Sequence, residues 1–442
     1  MNSSVSAQER DAGLVRALGL RGMTFNTVNL VVGASIFVLP ATVAGVLGPA
    51  AVIAYVVCAI AMAFVALCFA EAGSRVSTTG GVYAYAEAAF GPFVGYLTGV
   101  LMWFGSFMLG TAGIAVVLTT SIGVLYPPAA SRAWQVGLLC ALFGGLAMAN
   151  IRGTKVGASL VEGLTVAKLA PLILLIAVGV FAIDPANLAW SGVPSAGQIA
   201  DGSLLLVFAF MGIEIAVTPG GEIRDPARTV PRGILAGLSI ITLLYIAVQL
   251  VAQGVLGTGL AESRTAPLAA VAEVGLGGGG RAIILVGTIL STFGYLAGDM
   301  LSSPRVLYAF GRDGHLPTVF GRVHPRFQTP HVAIIVHAAA ALGFALSGTF
   351  ESLVVLSVVS TLIIYLICAI SVLVMRRRDL RTTAAPFTVP GGPAVPLLAC
   401  GVVLWLLSRA TRAEFTAVAV MLAVAVVLYF ARTVIGRRSA LR

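Results

Sequence analysis

Charge is what this chain has least of. Asp, Glu, Lys and Arg supply 10% of the 442 residues, while 59% are hydrophobic; a soluble domain carries about 25% charged residues. That deficit excludes an ordinary soluble enzyme or binding module. Lysine is scarcer still: Lys155 and Lys168 stand against 25 arginines. Cysteine is sparse and patternless. Cys58, Cys68, Cys140, Cys368 and Cys400 all fall in apolar runs, with no disulfide framework or metal spacing, and read as small buried hydrophobes. His315, His324, His331 and His337 fit no ligand motif, so no metal and no other cofactor is expected. There is no Walker motif to bind ATP phosphates. There is also no Gly-x-Ser-x-Gly elbow and no His/Asp/Glu cluster to make an enzyme. Residues 1–23 lack an apolar core, so a cleaved signal peptide is not expected.

Apolar runs of spanning length fill the remainder, and mean hydropathy is +1.01. The reading is an all-α membrane protein with its helices crossing the lipid bilayer. Spans are expected at 24–47, 49–72, 90–123, 134–151, 156–183, 203–221, 233–257, 281–309, 331–348, 352–375, 393–408 and 415–435, which makes twelve transmembrane helices. The loops between them are too short to hold a soluble domain. With the N-terminus inside, 21 Lys and Arg fall on the inner side, five on the outer side, and Lys168 in the membrane. This asymmetry places both termini in the cytoplasm. The +10 net charge is therefore an orientation feature. It is scattered over short loops and does not argue for nucleic acid, and no obligatory protein partner is evident.

Lys168 is the residue that stands out. It lies thirteen residues into the run that begins after Lys155, about 20 Å along a helix and well inside a hydrocarbon core roughly 30 Å thick. Arginine keeps its proton in a protein, whereas a buried lysine can be pushed toward neutrality. An intramembrane lysine is by default a candidate functional group; snorkelling to an interface is the competing role, and neither end of the run is near.

Two spans carry glycine and polar residues where a plain helix is expected. The first reads Asn29-Leu30-Val31-Val32-Gly33-Ala34-Ser35-Ile36-Phe37 with Pro40 beyond. The sixth reads Phe208-Ala209-Phe210-Met211-Gly212-Ile213-Glu214 with Pro219-Gly220-Gly221 beyond. Paired interruptions in two halves of a chain point to a midplane binding site, although glycine also serves as a packing residue. Unwound backbone at this depth needs partners. Freed amides suit a carboxylate and freed carbonyls suit an ammonium, so an amino-acid-like zwitterion fits both. Ser77 to Tyr85 is glycine-rich, aromatic and too short to span, and reads as re-entrant or interfacial. Gly277 to Gly280 reads as a flexible outer loop.

These stretches, with Gly220-Gly221-Glu222-Ile223-Arg224-Asp225-Pro226, Arg228-Thr229-Val230-Pro231-Arg232, Ser302-Ser303-Pro304-Arg305 and Arg312-Asp313-Gly314-His315-Leu316-Pro317, form an ordered set. In that order the chain resembles the amino acid–polyamine–organocation (APC) superfamily of secondary transporters. The motifs lie between residues 24 and 330; beyond them only length and hydropathy match. The resemblance implies the LeuT-like fold. This is a five-plus-five inverted repeat with discontinuous helices 1 and 6, plus two peripheral helices. The expected division is a cytoplasmic segment 1–23, repeat one at 24–183, repeat two at 203–375, peripheral helices at 393–435 and a cytoplasmic tail 436–442. It further implies substrate contacts at Gly33, Ala34, Ser35 and Ile36, an aromatic gate at Phe208, and contacts at Gly212, Ile213 and Glu214. The family pattern at Ala34–Ser35 is Ser/Ala-Gly, so Ser35 departs from it and leaves substrate size open. The lysine in the fifth span is similar to that of sodium-independent members, where it stands in for a sodium ion.

The remaining intramembrane charges have competing roles. Asp299, in the eighth span, is expected to pair with Lys168 as an ion-coupling bridge that loosens on protonation; a static structural bridge is the alternative. Glu214 either meets a substrate amine or a proton, or accepts from the unwound backbone of its own helix. Glu222, Arg224 and Asp225, with Arg228 and Arg232, form an expected inner gate, or else a solvated loop face. Trp103 and Tyr365 are candidate pocket residues, with core packing as the competing role.

The overall expectation is a proton-coupled amino acid permease of a bacterial inner membrane, working by alternating access, and not an enzyme. An exchanger for cationic amino acids or polyamines is the first alternative. A channel is the second, disfavoured because polar residues gather at two breaks rather than along a pore.

Overall fold

The computed structural model describes residues 11–439 apart from 12, 191, 264, 265, 348, 349, 383 and 384. Residues 1–10 and 12 of the expected N-terminal segment and 440–442 of the expected tail therefore lie outside the described residues. Within the described residues the chain is helical, with a single isolated parallel bridge between Leu18 and Ile223. The helices are α1 (Leu20–Val31), α2 (Leu39–Leu47), α3 (Ala51–Arg75), α4 (Val82–Phe90), α5 (Pro92–Val100), α6 (Leu109–Leu125), α7 (Arg132–Ile151), α8 (Thr154–Gly179) and α9 (Ala196–Phe210). They continue with α10 (Ile213–Ala216), α11 (Pro226–Leu256), α12 (Gly259–Glu262), α13 (Pro267–Ser302), α14 (Pro304–Arg312), α15 (His331–Ser347), α16 (Phe350–Arg377), α17 (Ala394–Leu407) and α18 (Arg412–Ser439).

Nine helical stretches among the described residues are long and apolar enough to cross a membrane, and His331–Ser347 and Ala394–Leu407 are shorter apolar helices. The chain is a multi-pass helical membrane protein. Twelve spans become nine long stretches because two are these shorter helices and the first span is split into α1 and α2. The second half runs on into α3 through a 3-10 turn at Gly48–Ala50. Outward-facing side chains such as Leu243 and Val427, 70% and 66% exposed, are the apolar surface a bilayer covers.

One sequence expectation needs correction. Gly277 to Gly280 is no loop: helix continues on both sides, and only Gly277 leaves helical geometry, at φ +64°. Ser77 to Tyr85 is a buried turn that opens α4. Its Gly80 amide donates to the Thr218 carbonyl at 2.9 Å, which ties the turn to the segment after α10.

Close packing sets where the polar groups end up. α13 lies along α8 and also touches α1, and α11 lies against α3 and α1. Helices in oil gain little from hydrophobicity and associate through small residues that let backbones approach. A Cβ at Gly294 would sit 2.8 Å from Asn29 Oδ1, and one at Gly298 2.6 Å from Asn29 Nδ2. Only glycine lets α1 seat there, with Asn29 Nδ2 donating to the Gly294 carbonyl at 2.5 Å. At the edge of the core, buried Glu71 accepts from Arg75 at 2.9 Å, Arg376 at 2.5 Å and the Val389 amide at 2.8 Å. That clamps α3 to α16 and to the segment before α17.

Candidate functional site

Helix geometry stops at both expected interruptions. After α1 the backbone turns at Val32 (φ −74°, ψ 82°), passes through a 3-10 turn at Ser35–Phe37 and resumes as α2. The Gly33 amide donates to the Val31 carbonyl at 2.8 Å rather than to Asn29, four residues back. The freed carbonyls find donors elsewhere. Lys168 Nζ donates to Asn29 O and Val32 O, both at 2.5 Å. Ser291 Oγ donates to Gly33 O at 2.9 Å and lies 3.1 Å from Val32 O. The Tyr245 hydroxyl reaches Val31 O at 3.2 Å and Ala209 O at 3.0 Å. The amine thus sits at the C-terminal end of α1, where the helix dipole is negative.

The second interruption separates α9 from α10. Met211 is extended and Gly212 adopts φ +126°, a conformation glycine takes at little cost. The two breaks touch here: a Cβ at Gly212 would lie 2.8 Å from Leu30 O. Gly212→Ala is therefore expected to destabilise the protein by about 1–3 kcal/mol, read as a lower Tm in detergent. Gly33→Ala, which meets nothing within 4 Å, is expected to stay within about 0.5 kcal/mol of the parent.

Glu214 Oε2 accepts from the Gly212 amide at 3.0 Å and the Tyr365 hydroxyl at 2.6 Å. Of its two expected roles, the geometry contains the bond to its own unwound backbone. Tyr365 enters as the partner that aims Glu214. Trp103 does not line the cavity; its Nε1 donates to His337 Nδ1 at 3.1 Å.

Between the breaks lies a cavity of about 370 Å³. Gly33, Ala34, Ser35, Phe208, Gly212 and Glu214 line it, joined by Ser106, Tyr295, Ser357 and Thr361. Ile36 and Ile213 are not in its wall and are fully buried. Phe208, in the cavity wall, is 45% exposed.

The expected Lys168–Asp299 pair is not there. Lys168 packs at Gly294, where its Cδ lies 3.5 Å from the Cβ a side chain would add. Asp299 is five residues further on, about 140° round the helix and about 7.5 Å along it. It therefore faces α6 and α15, where it meets Thr111, Ser303 and His337.

The expected inner gate is also differently wired. Glu222 pairs with Arg305 in a bidentate bridge of 3.2 and 3.1 Å, both side chains fully buried. Arg224 instead donates to the Arg16 carbonyl at 2.8 Å, and Asp225 makes an exposed 3.9 Å pair with Arg228. Beside the bridge Arg312 binds Asp11 and Asp313, and Tyr83 donates to Asp313 at 2.8 Å. Val38 and Ile114 also line the cavity, whereas none of these charged side chains does.

Sequence reasoning missed four participants: Arg305, His337, Tyr245 and Ser291. Arg305 reads as one more inner-loop arginine. The signal against that was its place directly after an apolar run in the same chain segment as Asp299.

A family profile described as amino acid permease matches residues 18–435. Among characterised proteins the chain is similar to the methylthioribose transporter of Bacillus subtilis, 28% identical over 97% of this chain and 95% of the relative. It is similar to the serine/threonine exchanger SteT of the same organism, 29% identical over 88% and 90%. It also resembles the branched-chain amino acid permease BcaP, 26% identical over 96% and 95%.

Proposed function

Because this chain belongs to the amino acid permease family of the APC superfamily, we propose that it is a secondary active amino acid transporter in a bacterial inner membrane, driven by protons and working by alternating access. On this reading the membrane is crossed twelve times, with both termini in the cytoplasm. Repeats at 24–183 and 203–375 are inverted about the two breaks, and 393–435 supplies two peripheral helices. The amino acid sits against Gly33–Ile36 and Gly212–Glu214, and Phe208 swings over it. Glu222 and Arg305 hold the inner side shut.

The observation that carries the reading is the capture of the α1 carbonyls by Lys168 at the edge of a cavity walled by both breaks. The amine occupies carbonyl oxygens that a bound cation would otherwise satisfy. A lysine can also release its charge, which a structural arginine cannot. Lys168 and Asp299 are then ion-coupling residues acting from separate sites.

Proteoliposome uptake of the common amino acids, with and without an inward pH gradient, tests this. Saturable, counterflow-competent uptake stimulated by external acid is expected. Uptake that neither saturates nor responds to pH would overturn it.

One observation favours a second reading, exchange of cationic amino acids or polyamines: a carboxylate, Glu214, stands in the cavity wall. Its Oε2 already has two donors, so leucine is expected to compete better than arginine for labelled uptake, with the ranking unchanged in Glu214→Gln. A preference for arginine that vanishes in Glu214→Gln would establish the exchanger instead.

A further inference from the structure

Asp299 heads a buried polar chain that reaches across three helices and that the substrate cavity does not use. Its Oδ1 accepts from Ser303 Oγ at 2.5 Å. Its Oδ2 lies 2.6 Å from Thr111 Oγ1 and 3.0 Å from His337 Nε2. Behind the imidazole, Trp103 Nε1 donates to His337 Nδ1. Asp299, Thr111, Ser303 and His337 are all fully buried.

Counting hydrogens fixes the states this chain can hold. An indole nitrogen only donates, so His337 Nδ1 carries no proton. The imidazole is therefore neutral, and its Nε2–H points at Asp299. Thr111 has one hydroxyl hydrogen and two acceptors in reach: Asp299 Oδ2, and the Phe107 carbonyl at 2.8 Å. With the hydroxyl turned to Asp299, the carboxylate is ionised and has three donors. With the hydroxyl turned to Phe107, Oδ2 bears the proton and donates to Thr111 Oγ1. The same heavy atoms satisfy both states, and only a hydroxyl rotor moves.

Among the described residues the surroundings offer no competing acid or base. The whole stretch Pro92–Leu125 has no Asp, Glu, Lys, Arg, His or Cys, and Tyr96 is its one tyrosine. On α15 the titratable groups are His331, at the helix start, and His337. On α13 Tyr295 stands one turn before Asp299 and lines the cavity. Lys168 on α8 is bound to the α1 carbonyls and lies on another face of α13; Glu214 on α10 is held by Tyr365. On α7, which also touches α13, Arg132 is spent on the Leu346 carbonyl at 2.6 Å, and Cys140 is exposed. Arg305, six residues further on, is paired with Glu222 through Nε and Nη2.

We propose that Asp299 is a second proton-binding site of the transport cycle, with the Thr111 hydroxyl as its switch and the Trp103–His337 pair fixing the imidazole tautomer, separate from the Lys168 site. The proton arrives on Oδ2 from the side to which the cavity is open, and the Thr111 hydrogen turns to Phe107. It leaves from Oδ2 on the opposite side as the hydroxyl turns back. Trp103, Phe107 and Ser106 lie on one π-helical stretch, Leu101–Met108, an irregularity often found at functional sites. Ser106 is also part of the cavity wall and bonds Thr361 at 2.6 Å. A change of charge at Asp299 thus acts on the same stretch that meets the amino acid.

This assignment rests on the proton-coupled reading above, and the test separates the two. Proteoliposomes loaded with a pH-sensitive dye are given leucine or serine, whichever the uptake panel shows to be transported. The wild-type protein is expected to acidify the lumen. Asp299→Asn and Thr111→Val, which keeps the shape of threonine without its hydroxyl, are expected to lose that acidification while counterflow persists, and Thr111→Ser is expected to restore it. In infrared difference spectra a protonated-carboxyl band that responds to the amino acid is expected in wild type and Lys168→Ala and absent in Asp299→Asn. Wild-type uptake without any proton movement would overturn the proton-coupled reading and this assignment together. Acidification that survives in Asp299→Asn and Thr111→Val would overturn the assignment alone. Should Asp299→Asn fail to fold, Thr111→Val and the wild-type band decide.

Discussion

Lys168→Ala abolishes accumulation driven by a pH gradient and leaves counterflow exchange running. That is the expected result with the largest effect on function. The Lys168 amine is a donor to Asn29 O and Val32 O. Val32 O lies 3.1 Å from Ser291 Oγ, whose hydrogen can turn to it from Gly33 O, but Asn29 O has lost its own helical donor to the break. Leaving a buried carbonyl bare costs about 1–3 kcal/mol, enough to shift an equilibrium between two carrier states by roughly 5- to 150-fold. The empty carrier, with no amino acid to organise the break, feels this most; the loaded carrier feels it least. Net uptake requires the empty carrier to return, whereas exchange does not. Lys168→Arg separates charge from titration, because arginine keeps its proton. It is expected to lose pH-driven accumulation as well. Normal pH-driven accumulation in Lys168→Ala would remove the coupling role from this residue.

The second large effect is on stability. Arg305 and Glu222 form a bridge with no solvent access. Removing one partner of such a pair leaves a buried charge alone and costs about 3–5 kcal/mol. Glu222→Gln and Arg305→Met are each expected to lower the Tm in detergent sharply. Replacing both groups together is often close to neutral, so the double variant is expected to be more stable than either single one. Arg305 Nη1 has no hydrogen-bond partner, which makes the arginine the costlier residue to strand. The double variant also lacks the bond that joins the segment after α10 to α14, and is expected to leak amino acid from loaded proteoliposomes faster than the parent. A double variant no more stable than the singles, with unaltered leak, would reduce the bridge to passive packing.

The sequence located the breaks because glycine, proline and polar residues in an oily helix are improbable without a local reason. It located Lys168 for the same reason. Partners were harder to read. Pairing Lys168 with Asp299 follows from charge alone, and charge carries no angle. Counted from Gly294, the five-residue step to Asp299 turns its side chain toward α6 and α15. The true partner, His337, reads in sequence as an isolated histidine in an apolar run, and its meaning appears only when α15 is packed against α13. Glu222 suffered in the same way. Its neighbours in the chain are charged, yet its partner lies 83 residues away, on a helix whose arginine reads as a loop residue. The Gly277 to Gly280 run failed for a different reason. Four glycines signal a loop, but a single positive φ at Gly277 is enough to turn the chain, and the other three join the helix that follows.

The most direct test is whether the purified protein concentrates an amino acid using only a proton gradient. Proteoliposomes with an acidic exterior and a clamped membrane potential are given a labelled amino acid at equal concentration inside and out. The account predicts net inward movement above equilibrium, collapsing when a protonophore removes the gradient. Saturable exchange that never departs from equal concentrations at any pH difference would contradict it.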